Sequence, residues 1–200
     1  MDYRIEQFIN GAAGHHAALD TFMRDAATWA VPVFIAIVAG WFLFGWVAGR
    51  AAERRGALTA LLAAGGALLA NQIVLQFWQR PRPFDAHPGE VVTLVSRTAD
   101  PSFPSDHAAA SVAIAVVLFL AHRRLGAAAL ALAGLVCISR VYVGAHYPGD
   151  VLAGALIGTA VAALLWWPLA AAVARLAGAV DWAIARLHLP LPDRRSAARG

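Results

Sequence analysis

The feature that most constrains this chain is the run Ala26–Gly49, which contains no charged residue. A helix needs about 20 predominantly apolar residues to cross the hydrocarbon of a bilayer, and this run is long enough. Gly56–Gln79 and Val151–Ala174 are also free of charge. Ala108–Ala121 is shorter, but it reaches the interface if His107 and His122 stand at its ends. Leu125–Ser139 is followed by Arg140 and further apolar residues to Gly144. The pattern predicts an all-α fold, a polytopic membrane helix bundle of about five transmembrane helices. Composition agrees: 60% of the 200 residues are hydrophobic and 14% charged, against about 45–50% and about 25% in soluble domains. A soluble globule and a disordered chain are both set aside. The net charge of +4 is the balance of sixteen basic residues, all arginine, against twelve acidic ones. They lie in short groups between apolar runs, so a nucleic-acid partner is not expected. The single Cys137 lies inside a run and permits no intramolecular disulfide.

The whole of 1–200 reads as a single membrane-embedded domain: 1–25 an interfacial helix, 26–174 the transmembrane core, and 175–200 a cytoplasmic helix and tail. The first 25 residues carry Asp2, Arg4, Glu6, Asp20, Arg24 and Asp25, which argues against both a cleavable signal and a span. Ile5, Phe8, Ile9, Leu19, Phe22 and Met23 recur at helical spacing, with Gly11 and Gly14 between two halves, as in an amphipathic helix or helix pair at the interface. Arg175–Leu189 is read the same way, and Pro190–Gly200 as unstructured. Trp166 and Trp167 fit an aromatic belt, and Ala63–Ala67 a stripe of close helix packing.

Short cytoplasmic loops are rich in arginine. Arg50, Arg54, Arg55, Arg123, Arg124 and the C-terminal arginines alternate onto one side of a five-span chain. That side is expected to be the cytoplasm, with the C-terminus there. The opposite face then carries Arg80-Pro81-Arg82-Pro83, Pro104-Ser105-Asp106-His107 and Ser139-Arg140…His146…Asp150. Ionisable residues at span ends are costly and mark functional paths. Guanidinium forks match phosphate oxygens bidentately. Ser105 stands where a helix begins, a natural N-cap and anion site. His107, in the first turn, is placed to give a proton to a leaving oxygen. Asp150, four residues after His146, is placed to fix its tautomer and leave the other ring nitrogen free to attack. Together these residues describe phosphoryl transfer without a metal. The same His146 and Asp150 are also compatible with a structural pair, or with half a metal site completed by His107.

These segments resemble the three signature segments of the type 2 phosphatidic acid phosphatase superfamily, strongly over Asn71–Gly158. Asn71-Gln72…Arg80-Pro81-Arg82-Pro83-Phe84 and Ser102-Phe103-Pro104-Ser105-Asp106-His107 are most similar to bacterial undecaprenyl pyrophosphate phosphatases of the bacitracin-resistance type. The resemblance implies His146 as nucleophile, Asp150 as its partner, His107 as general acid, and Arg82, Ser105 and Arg140 as phosphate ligands. Asp106 joins the candidate substrate-binding residues with its motif. It further implies a lipid pyrophosphate substrate, an outward-facing site in a bacterial plasma membrane, and no required cofactor or metal. Another lipid phosphate, such as phosphatidylglycerol phosphate or phosphatidic acid, and a non-catalytic lipid-phosphate binder are the alternatives. One position departs from the family: a lysine normally lies seven residues before the Arg of Arg-Pro, and here that residue is Leu75. Arg80 is the candidate replacement cation. Asp85, His87, Glu90 and Asp100 have no assigned role.

Overall fold

The computed structural model describes the backbone of residues 1–186 and, through Trp166, their side chains. Seven helices follow one another: α1 (Asp2–Asn10), α2 (Ala17–Val47), α3 (Ala51–Phe77), α4 (Pro83–Ala86), α5 (Asp106–Ala121), α6 (Arg123–Tyr142) and α7 (Pro148–Arg186). Four of them, α2, α3, α6 and the first part of α7, are long and apolar enough to cross a membrane. With the shorter apolar α5 they make the expected bundle of about five spans. α5 is only 16 residues long, about 24 Å at 1.5 Å per residue. It tolerates this length because it is the central helix, packed against α2, α3, α6 and α7 rather than lipid. Its Ala108, Ala109, Ala113, Ala115 and Val117 are fully buried. Leucines on the outer helices, such as Leu69, Leu152 and Leu164, stay exposed, as a lipid-facing surface requires.

Small residues set the interhelical distances. A methyl group on Gly154 or Gly158 of α7 would collide with the carbonyl oxygen of Ser105 or Ala109 on α5. The Ser105 amide also donates to the Asp150 carbonyl at 3.0 Å. The two helices therefore meet backbone to backbone. The Ala63–Ala67 stripe packs as expected, with Ala63 and Ala67 fully buried.

The two terminal segments differ from expectation. Residues 17–25 do not form a helix of their own; they are the first turns of α2. The chain breaks only over 11–16, where Gly14 takes φ +83° and its amide donates to the Asp20 carboxylate. At the other end the helix does not break near Arg175. A continued helix keeps its backbone bonds internal, and α7 runs on to Arg186. The tail expected to be unstructured lies outside the described residues. α1 itself is a separate helix, and its packing is inverted: Phe8 and Ile5 are exposed, while Glu6 and Asn10 are buried against the bundle. The Asn10 amide group donates to the Val92 and Tyr142 carbonyls, both at 2.8 Å, and its oxygen accepts from the Val92 amide at 2.9 Å. Gly144 is required beneath it, since φ is +73° and a methyl would press on Val91 and the Val92 carbonyl. α1 thus fastens the long loop to the end of α6.

Candidate active site

All three motif segments converge at the α1 end of the bundle. A cavity of about 680 Å³ opens there, lined by Arg82, His107 and Arg140 among others. Arg82 leaves α3 through the rigid Arg-Pro steps and begins α4, and its side chain is buried. Its Nε donates to the Asp100 carbonyl at 2.9 Å and one terminal nitrogen to the Asp100 carboxylate at 2.7 Å. The other terminal nitrogen donates to the Ala145 carbonyl at 2.9 Å and lies 3.4 Å from His146 Nε2. Asp100 therefore has a role that its position in a loop did not reveal. Burial raises its pKa, but hydrogen bonds from Thr98 and Arg82 outweigh that and hold it below the ordinary value.

Arg140 ends α6 with 8% of its surface exposed and its Nε without a partner. Ser105 occupies the N-cap of α5, but its hydroxyl makes no capping bond; it is buried and unpartnered. Unfilled donors of this kind are rare and costly in a buried position. Beside the free amides of the α5 N-terminus, they make a ready-built site for an oxyanion.

His146 sits in the turn before α7, 3% exposed. Its Nδ1–H donates to the Ser102 carbonyl at 2.8 Å, leaving the Nε2 lone pair on the Arg82 side. Burial, reinforced by the charges of Arg140 and Arg82, holds its pKa well below 6.5. The ring is neutral near pH 7, the state a nucleophile needs.

The part expected of Asp150 is divided. It stands 3.9 Å from Nδ1, beyond hydrogen-bond range, and the Ser102 carbonyl fixes the tautomer instead. The reason is helix capping. Pro148 opens α7 and the Asp150 carboxylate turns back to accept from the Tyr147 amide at 2.9 Å, half of a capping box. The same oxygen accepts from Ser102 Oγ at 2.5 Å. Asp150 thus reaches His146 through Ser102, and its fully buried charge faces the ring at short range.

Of the candidate residues, Arg82, His107 and Arg140 line the cavity; Ser105 and His146 lie buried behind that lining, and Arg80 and Asp106 are turned to other partners. Arg80 points to the outer side of Asp150, donating to its Oδ1 at 2.9 Å and to Asp2 at 2.6 Å, and lies 3.6 Å over the Tyr147 ring. Two carboxylates and an aromatic face hold it there, away from the cavity lining. Asp2 completes the cluster by accepting from the Gly149 amide at 2.9 Å. Asp106 accepts from the Asn71 amide at 2.8 Å and does not line the cavity; it joins α5 to α3. Sequence reasoning missed Ser102, Asn71 and Asp2. Ser102 and Asn71 stood within quoted motifs, but a backbone carbonyl ligand leaves no residue-type signal. Among the described residues, no group of three His, Cys, Asp or Glu side chains is placed to hold a metal ion, and His107, His146 and Asp150 do not form one.

Residues 56–173 match the PAP2 superfamily. The chain belongs to that superfamily. The PAP2 match takes in every motif residue and stops short of α1 and α2. Among named relatives, undecaprenyl-diphosphatase BcrC of Bacillus subtilis is 34% identical over 157 residues, 78% of each chain. The crystal structure of Aquifex aeolicus LpxE is similar, with TM-score 0.68 and 26% identity over 82% of this chain and 93% of that one. So is the PAP2-type phosphatidylglycerolphosphate phosphatase from Bacillus subtilis, with TM-score 0.60 and 25% identity over 82% and 83%.

Proposed function

We propose that this PAP2 membrane phosphatase removes the terminal phosphate of undecaprenyl pyrophosphate through a phosphohistidine on His146. One observation carries the reading. His107 lines the arginine-bearing cavity and also a second, apolar groove formed by α2, α3 and α5, which includes Val31, Phe34, Leu61 and Leu68. Among the described residues, no other is common to both linings. A proton donor at the seam between an anion chamber and a hydrocarbon groove is where the leaving oxygen of a lipid phosphate lies. The name of the Bacillus subtilis relative supports the choice of lipid.

The reaction runs in two displacements. His146 Nε2 bonds to the terminal phosphorus as the bridging P–O bond breaks, and His107 gives its proton to the departing lipid monophosphate. Arg82, Arg140, Ser105 Oγ and the α5 amides hold the non-bridging oxygens, where charge builds in the transition state. Asp150 faces the imidazolium that forms. His107 then takes a proton from water as the water attacks phosphorus, the P–N bond breaks, and inorganic phosphate leaves. The arginine distribution supports a site on the outer face of a bacterial plasma membrane with the C-terminus in the cytoplasm.

Phosphate release from undecaprenyl pyrophosphate, phosphatidylglycerol phosphate and phosphatidic acid, in excess chelator, tests this. Wild type is expected to prefer the first, with His146→Ala lower by about 10³-fold or more. Undiminished turnover by His146→Ala would remove the phosphohistidine step. Preference for another lipid would transfer the same chemistry to that substrate. Binding without release by wild type would leave a lipid-phosphate carrier.

A further inference from the structure

The cavity is larger than one phosphate needs. A water molecule takes about 30 Å³ of liquid volume and a phosphate only a few times that, against about 680 Å³ here. Beyond Arg82, Arg140 and His107, its polar lining comes from outside the three motifs. Arg24 and Thr28 lie one turn apart on α2, and Thr93 comes from the loop before α5. The Thr93 Oγ1 is buried without a hydrogen-bond partner. Among the described residues Arg24 has one ionic contact, at 3.7 Å to its neighbour Asp25, and both side chains are half-exposed.

The same face of α2 continues into the apolar groove. Residues three and four apart share a helix face. Arg24 and Thr28 line the cavity, and Val31 and Ile35, the next positions on that face, line the groove. This stripe presents a cation, a hydroxyl and then hydrocarbon, the order found along a lipid diphosphate from its inner phosphate into its tail.

We propose that Arg24, with Thr28 and Thr93, forms a second phosphate subsite that holds the lipid-proximal phosphate of a diphosphate and selects diphosphates over monophosphates. This rests on the functional reading above for the identity of the lipid. Arg24 also supplies the third cation that Leu75 and the engaged Arg80 do not. In the first displacement the proximal phosphate is the leaving group, and Arg24 neutralises the charge it gains as the bridging bond breaks. Arg24 belongs to α2, which lies before the matched PAP2 region.

The test separates binding from turnover. Titration calorimetry of the detergent-solubilised full chain measures Kd for methylenediphosphonate, a non-hydrolysable diphosphate, and for inorganic phosphate. Wild type is expected to bind the diphosphonate more tightly. Arg24→Ala should weaken diphosphonate binding about tenfold or more, the scale of one charge-assisted contact, and inorganic phosphate binding much less. Arg24→Lys should recover part of the difference, and matching thermal melts exclude misfolding. Equal weakening for both ligands, or no change for either, overturns the subsite. A wild type that releases no phosphate from any lipid defeats the functional reading, while these affinities still decide the subsite.

Discussion

The two ends of the helix bundle carry polar clusters of opposite character. At the far end, Trp41 Nε1 donates to Glu53 Oε2 at 2.7 Å and His122 Nε2 meets the same oxygen at 2.6 Å. This joins α2, α3 and the turn into α6. At the α1 end, Ser105 Oγ and Arg140 Nε lie buried with nothing to bond. Buried polar atoms are almost always satisfied, so the first cluster is a finished clamp and the second is waiting for an anion. Charge and burial do not separate clamp from site; what marks the second cluster is that its unfilled groups are donors, which an anion satisfies, whereas the equally unbonded Glu6 carboxyl oxygens are acceptors.

The sharpest way to break this contrast is at Arg140. Arg140→Met removes a buried guanidinium whose Nε has no partner, so activity should fall about 10²–10³-fold, the scale of a lost transition-state donor. The thermal midpoint should hold or rise, because no ion pair is broken. A large drop in midpoint would mean that Arg140 supports the fold. Glu53→Ala should do the reverse. It strands two donors at a cost of about 1–3 kcal/mol, lowering the midpoint by roughly 2–4 °C per kcal/mol, with phosphate release per folded molecule unchanged. Asp2→Asn weakens the hold on Arg80 and, through it, on Asp150. The expected result is a several-fold lower kcat at constant KM and midpoint, partly restored by Asp2→Glu; a change in KM alone would place Asp2 in binding.

Glu6 gives the smallest effect. It is fully buried with neither carboxylate oxygen bonded, and desolvation raises its pKa to about 7. A raised carboxyl pKa stabilises the fold below the unfolded value near 4.5, and that stabilisation is lost as pH rises toward about 7. Glu6→Gln should flatten this decline and melt higher than wild type at pH 8. Identical pH profiles for the two proteins would show that Glu6 is not titrating in the folded state.

Much of the bundle was legible because its signals are local. Uncharged runs gave the spans, and motif residues lie within a few positions of helix ends, so placing the helices placed Arg82, His107, Arg140 and His146 at one end. What stayed hidden depends on partners far along the chain. Arg80 looked like a free cation until Asp2 and Asp150 claimed it. The Ser102 carbonyl took the role expected of a carboxylate because helix capping had already committed Asp150. α1 read as amphipathic from its apolar residues, yet its polar face packs inward, since the Val92 and Tyr142 carbonyls it satisfies lie on distant segments. Arg24 looked like an interfacial charge because nothing in its neighbourhood announces a cavity.

The backbone contact of α5 with α7 has a mechanical consequence. His107 rides on one of these helices and His146 enters the other, with Gly154 and Gly158 leaving no slack between them. Lateral pressure from a bilayer falls first on the outer helices, whose leucines face outward. The pair of imidazoles is thus tied to the tightest helix contact in the bundle, so their spacing is set by backbone meeting backbone and not by the packing of long side chains.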